Sequence, residues 1–153
     1  VIVGMHAGEE FVPEPTQQQR TLADILTASP DVDAVVGEHV HVVQPITKVN
    51  GKWVIYGMGN LVAQHSVDRP RGAEGITVRL RFVEASGGGF QVEGVDYIPT
   101  YVSHYSSGDP VRVFPVVQSL EQGVGDRARL TTARAAINQQ VALMGRPVGL
   151  TEK

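Results

Sequence analysis

The chain has 153 residues, no cysteine and a formal net charge of −3, with 42% hydrophobic and 19% charged residues. These values describe an ordinary globular protein with enough chain to build a core. They exclude a disulfide framework, a thiolate metal site and the basic face that nucleic-acid binding needs, and no stretch approaches the ~20 apolar residues of a membrane-spanning helix.

The chain opens at Val1 without a methionine, and Val1-Ile2-Val3 already reads as an interior strand with no polar lead-in. This start points to the C-terminal piece of a longer protein. Residues 1–5 are predicted as a strand, and 6–15 as a loop carrying Glu9, Glu10, Pro13 and Pro15. Thr16 is placed to cap a helix over 16–29, with Leu22, Ile25 and Leu26 on one face and Pro30 as the stop. A strand over 32–36 follows at once. Strand, helix and strand within ~35 residues form a βαβ unit, which implies parallel strands and a right-handed crossover.

After His41 the pattern turns antiparallel. Runs at 42–49 and 52–56 meet at Asn50-Gly51, a strong short hairpin signal. Gly57-Met58-Gly59-Asn60-Leu61 is a glycine-rich turn, and 63–74, with His65, Asp68, Arg69, Pro70 and Arg71, reads as an exposed loop. Residues 75–84 alternate Ile76, Val78, Leu80 and Phe82 against Thr77, Arg79 and Arg81, the pattern of a half-buried antiparallel strand. Residues 86–89 turn the chain back into a strand over 90–99. Residues 100–117 are irregular, with a turn at 106–110 and a short strand in 111–117. Asp126 caps a closing helix over 127–144, whose stripe is Leu130, Ala133, Ile137, Val141 and Met144. The fold class is α/β (α+β): a βαβ unit, then antiparallel strands and a closing helix. Residues 1–117 form the main body, and 118–153 a helix and tail packing on it.

Chemistry concentrates where strands end. Gly37-Glu38-His39-Val40-His41 follows the strand at 32–36, in the position where open α/β folds gather ligand groups. A bend there relaxes the alternation of a strand and lets His39 and His41 point into one site. Val1 to Glu10 repeats the plan: apolar strand, glycine, His6, then carboxylates. Neutral imidazole is the commonest metal ligand, so His6, His39 and His41, with Glu10 nearby, are candidate ligands. The competing reading is loop histidines hydrogen-bonded to backbone carbonyls. His65 and His104 read as surface residues. Asn60 either orients a histidine, donates to a phosphate or is simply a left-handed turn residue. Glu9, Glu10 and Glu38 are acids or bases, or solvated loop carboxylates. Gly-x-Gly-x-x-Gly, Gly-Lys-[Ser/Thr], Gly-x-Ser-x-Gly and His-Glu-x-x-His are all absent. Aromatics are only 6%, with Trp53 the one tryptophan, which argues against a sugar-stacking platform.

Four ordered motifs then carry a resemblance. They are His6-Ala7-Gly8-Glu9-Glu10-Phe11, Pro15-Thr16-Gln17-Gln18-Gln19, the run Val35-Val36-Gly37-Glu38-His39-Val40-His41-Val42-Val43-Gln44-Pro45, and Tyr56-Gly57-Met58-Gly59-Asn60-Leu61. Over 1–61 the chain resembles the capsule-synthesis family of CapA and its poly-γ-glutamate-synthesis relative PgsA, whose domain is related to calcineurin-like metallophosphoesterases. It departs from the family pattern at four positions: Ala7 for an aromatic, Glu38 for a histidine, Val40 for a proline and Gly57 for a serine.

The resemblance implies the C-terminal half of a metallophosphoesterase-like αββα sandwich. It implies two divalent ions (of Mn, Fe, Zn or Mg type) in the intact domain, with His6, His39 and His41 as ligands and the remaining ligand motifs upstream. Glu10, Glu38 and Asn60 become outer-shell residues; no catalytic residue is assigned. The expected partners are the missing N-terminal half of the same protein and a membrane-bound polymer synthase complex, with no nucleic acid. The expected location is extracytoplasmic, at the cell surface or membrane. The function implied is capsule or poly-γ-glutamate biosynthesis, the alternative being an exported metal-dependent phosphoesterase.

Overall fold

Ala34-Val35-Val36 is apolar at every position, and the reason is that both faces of its strand are covered. In the computed structural model, which describes residues 1–63, 69–104, 108 and 110–153, this strand, β2 (Ala34–Glu38), lies parallel between β1 (Ile2–His6) and β4 (Lys52–Ile55). The hairpin partner β3 (Ile46–Val49) adds to β4 antiparallel, giving a first sheet of order β1-β2-β4-β3. The βαβ reading holds: α1 (Gln17–Ala28) joins β1 to β2. Thr16 caps it in a capping box with Gln19, whose side chain accepts from the Thr16 backbone N–H at 2.9 Å.

The second sheet is built on a long hairpin. β5 (Glu74–Glu84) and β6 (Phe90–Val102) pair antiparallel, and β7 (Val113–Pro115) pairs with the far end of β6. A short 3-10 turn, Pro70–Ala73, leads into β5. The sheets share a core. Ala34, Trp53 and Ile55 from one meet Ile76, Val95 and Tyr97 from the other, with Ile137 and Val141 of α3 (Arg127–Val141) in the same cluster. The opposite face of the first sheet, Met5, Val35 and Val54, packs on Ala23, Leu22 and Leu26 of α1. Trp53 is 1% exposed, a core residue with Lys48 over its ring.

Several expectations need correction. The buried face of α1 is Gln19, Ala23 and Thr27, while Ile25 is 62% exposed. Polar residues can face inward here because each is hydrogen-bonded: Gln19 Nε2 donates to Gln44 Oε1 at 2.8 Å, and Thr27 Oγ1 to the Ala23 carbonyl at 2.7 Å. Residues 42–45 are not strand; Val43 makes only an isolated bridge to Met58. The alternation of β5 breaks at a bulge between Arg81 and Phe82, which leaves Phe82 42% exposed. β6 extends to Val102, beyond the expected end at 99. The closing helix ends at Val141 rather than 144. Two elements were not foreseen, α2 (Val116–Gln122) and β8 (Leu150–Glu152), which pairs parallel with β6. His65, Asp68 and most of the turn at 106–110 lie outside the described residues.

Candidate histidine site

Parallel pairing of β1 and β2 places His6 opposite Glu38 in register, so the C-terminal ends of both strands open at one margin of the sheet. Gly37 is required just before that margin. A Cβ there would lie 2.0 Å from the Tyr56 carbonyl oxygen, where β2 passes the end of β4. Beyond it the backbone enters the left-handed region twice, at His39 (φ 95) and His41 (φ 57). Each such residue stores about 1–3 kcal/mol of strain. The result is that both imidazoles line one cavity, while Val40 between them is driven inward and is 1% exposed. The bend delivers what its spacing promised.

The cavity has a volume of about 340 Å³ and is lined by His6, Glu38, His39, His41 and Asn60, with Val40, Met58 and Gly59. The His6 and His39 rings lie 4.7 Å apart between centroids, tilted by 44°. Asn60, 8% exposed, fixes His41. Its Nδ2 donates to the Gly72 carbonyl at 2.8 Å and to the His41 carbonyl at 3.4 Å. That orients Oδ1 as the acceptor of the 2.8 Å bond from His41 Nδ1, which keeps the proton on Nδ1 and leaves Nε2 as the free electron pair.

Of the six residues singled out from sequence, the cavity gathers His6, Glu38, His39, His41 and Asn60. Glu10 is exposed and does not line it. Among the described residues no three His, Asp or Glu side chains are arranged to hold a metal ion together. The donor chemistry nevertheless fits one side of a divalent metal centre: adjacent imidazoles, one of them held by a side-chain amide, with a carboxylate at the rim.

Two residues that sequence reasoning left aside belong to the same neighbourhood. Phe11 has φ 62, donates its N–H to the Val40 carbonyl at 2.8 Å, and stacks on His41 with centroids 5.7 Å apart and planes at 19°. The Arg69 guanidinium lies 4.4 Å from the centroid of the Phe11 ring. The loop carrying Phe11 is clamped from below, since Gln44 Nε2 donates to the carbonyls of Val12 (2.9 Å) and Glu14 (3.3 Å). Phe11 stood within a quoted motif; Arg69 carried no signal in an apparent surface loop. Glu74 also escaped notice. It is 9% exposed, its carbonyl accepts from the Asn60 N–H at 3.3 Å, and burial pushes its carboxyl up to about 7 against the opposing pull of Arg71.

Comparison with known proteins finds similarity over the same region. Residues 1–65 match the family described as bacterial capsule synthesis protein PGA_cap. The chain is 32% identical over 96 residues to the PGA biosynthesis protein CapA of Bacillus subtilis (strain 168), covering 63% of this chain and 24% of that protein. It is 30% identical over 81 residues to the capsule biosynthesis protein CapA of Bacillus anthracis, covering 53% of this chain and 20% of that one. The matches thus span a quarter or less of the length of these curated relatives. No solved structure matches the chain. The stretch that matches the PGA_cap family of bacterial capsule synthesis proteins, residues 1–65, is thus the one that builds the histidine cavity.

Proposed function

We propose that the protein acts in capsule biosynthesis and that this part of it supplies the histidine wall of a divalent metal centre. The observation that carries the reading is the convergence of His6, Glu38, His39, His41 and Asn60 on one cavity inside the matched stretch. His6, His39 and the Nε2 of His41 are the residues to hold an ion of the Mn, Fe, Zn or Mg type. Asn60 sets the tautomer and ring angle of His41, and Glu38 adds negative charge at the rim. The remaining ligands come from other parts of the full-length protein, in keeping with an incomplete donor set among the described residues. A bound ion of this kind polarises an oxyanion and lowers the pKa of a coordinated water.

The product of capsule synthesis lies outside the cell, so the proposal places the protein extracytoplasmically, beside a membrane-bound polymer synthase. No helix among the described residues is long and apolar enough to cross a membrane. A free-standing phosphoesterase is the less favoured reading, since both named relatives are biosynthesis proteins.

The test is elemental analysis of the full-length protein, wild type beside a His39→Ala/His41→Ala variant, with capsular polymer measured in strains carrying each. The expected result is divalent metal in the wild type and loss of both metal and polymer in the variant. A metal-free wild type overturns the metal centre. Unchanged polymer in a strain lacking the protein overturns the biosynthetic role.

A further inference from the structure

The histidine cavity is flanked by a stack that lies outside both hydrophobic clusters, with the Phe11 ring between His41 and Arg69. A phenylalanine in the left-handed region is strained, and such strain persists only where its surroundings fix it. Here they do: the Val40 carbonyl pins the Phe11 backbone, and Gln44 clamps the loop just beyond it, at Val12 and Glu14. What the strained backbone achieves is the position of the Phe11 ring, stacked on His41 and beneath the Arg69 guanidinium.

Arg69 is fixed from its own side. Its carbonyl accepts from the Gly72 N–H at 2.8 Å at the start of the 3-10 turn, and the Gly72 carbonyl of that turn holds Asn60. One turn therefore supplies both the support of His41 and a cation one aromatic ring away from it. Among the described residues no carboxylate forms an ion pair with Arg69. Its side chain is exposed, and a guanidinium held over an aromatic face through its π surface still has N–H donors around its edge to offer a ligand.

We propose that Arg69, positioned by Phe11, is the oxyanion-binding residue of the histidine site, receiving an anionic group of the ligand whose other end sits in the cavity. This rests on the reading of the cavity as a ligand-binding metal centre. The shared chemistry is a phosphate or carboxylate oxygen pair taken by the guanidinium fork.

The experiment measures binding of inorganic phosphate and, separately, of glutarate to the full-length protein by calorimetry. It compares wild type, Arg69→Ala, Arg69→Lys and Phe11→Leu, with metal content recorded for each. Loss of one charge-assisted contact predicts binding weaker by about tenfold or more in Arg69→Ala, with metal content unchanged and partial recovery in Arg69→Lys. Phe11→Leu, which keeps the charge and removes its platform, is expected to weaken binding as well. An Arg69 effect confined to phosphate assigns a phosphoryl group, and one confined to glutarate a carboxylate. A wild type that binds either anion with no loss in Arg69→Ala overturns the role of Arg69 and leaves the metal centre standing. A wild type holding neither metal nor anion overturns both.

Discussion

Glu74 offers a quantitative test of how the second sheet meets the site. It begins β5, is 9% exposed, and its carboxyl is raised by burial from an ordinary 4.5 to about 7, with Arg71 offsetting part of the effect. Arg71 itself donates to Gln140 Oε1 at 3.0 Å, so its charge is not dedicated to Glu74. Between pH ~4.5 and ~7 the folded state holds a proton that the unfolded state has released, so stability falls as pH rises through this window and levels off above it. At about 1.36 kcal/mol per pH unit the full loss is about 3 kcal/mol. Glu74→Gln removes the titration and keeps the shape. Chemical unfolding of both proteins from pH 4 to 8.5 isolates the effect, because the ionisable groups the two proteins share cancel in the difference. The variant's advantage should grow from near its low-pH value at pH 4.5 to about 3 kcal/mol more at pH 7.5, or ~6–12 °C in Tm. A difference between the two proteins that stays flat with pH would show that the carboxyl is not desolvated and that the β5 start is packed otherwise.

Asp96 should behave with the opposite sign. It is 2% exposed and bonded by Arg79 Nε (3.1 Å) and by Arg81; these bonds, Arg79's first, hold its carboxyl below the ordinary value of 3.8 despite burial. Its contribution is present above that value and lost on acidification, so Asp96→Asn should destabilise by about 1–2 kcal/mol at neutral pH and flatten the acid limb of the unfolding curve. Gln44→Leu breaks the clamp on the Phe11 loop and leaves Gln19 Nε2 with only its longer 3.4 Å bond to the Tyr56 carbonyl, at a cost of about 1–3 kcal/mol, read by urea unfolding together with faster hydrogen exchange around Phe11. Asn60→Leu frees the His41 ring; if the cavity holds metal, chelator competition should show affinity reduced about 10–100-fold while the fold persists.

The sequence revealed the βαβ unit, the hairpin at Asn50-Gly51 and the histidine cluster for one physical reason. Each depends on contacts close in the chain or on a strand buried from both sides, and these leave periodic or punctuated residues behind. The α1 face was misjudged because Gln19 and Thr27 are paid for by hydrogen bonds to distant or backbone partners, which hydropathy does not register. α2 was hidden because Val116 and Val117 are β-branched; packing on α3 and β6, not propensity, makes the helix. β8 is three residues long and is fixed by the Arg134–Glu152 pair (2.8 Å) and by the Gly149 carbonyl on Val95, too little chain for any alternation to appear. Arg69 reaches the site through Phe11 and Glu74 through Asn60, partners distant in the chain, so neither was legible. Glu10, by contrast, was chosen for nearness in sequence to His6, and the turn carries it away.

Val40 shows how the departures from the family pattern are linked. One of its methyls lies 2.5 Å from where a Cβ on Gly8 would stand, and the other 2.6 Å from where one on Gly57 would stand. The valine in place of the usual proline and the glycine in place of the usual serine therefore occupy the same volume, and a serine restored at position 57 would collide with the valine. The two substitutions amount to a single exchange of bulk between neighbouring turns. A side chain added at position 8 or 57 would push on this one valine, and through it on the left-handed histidines at positions 39 and 41 that flank it.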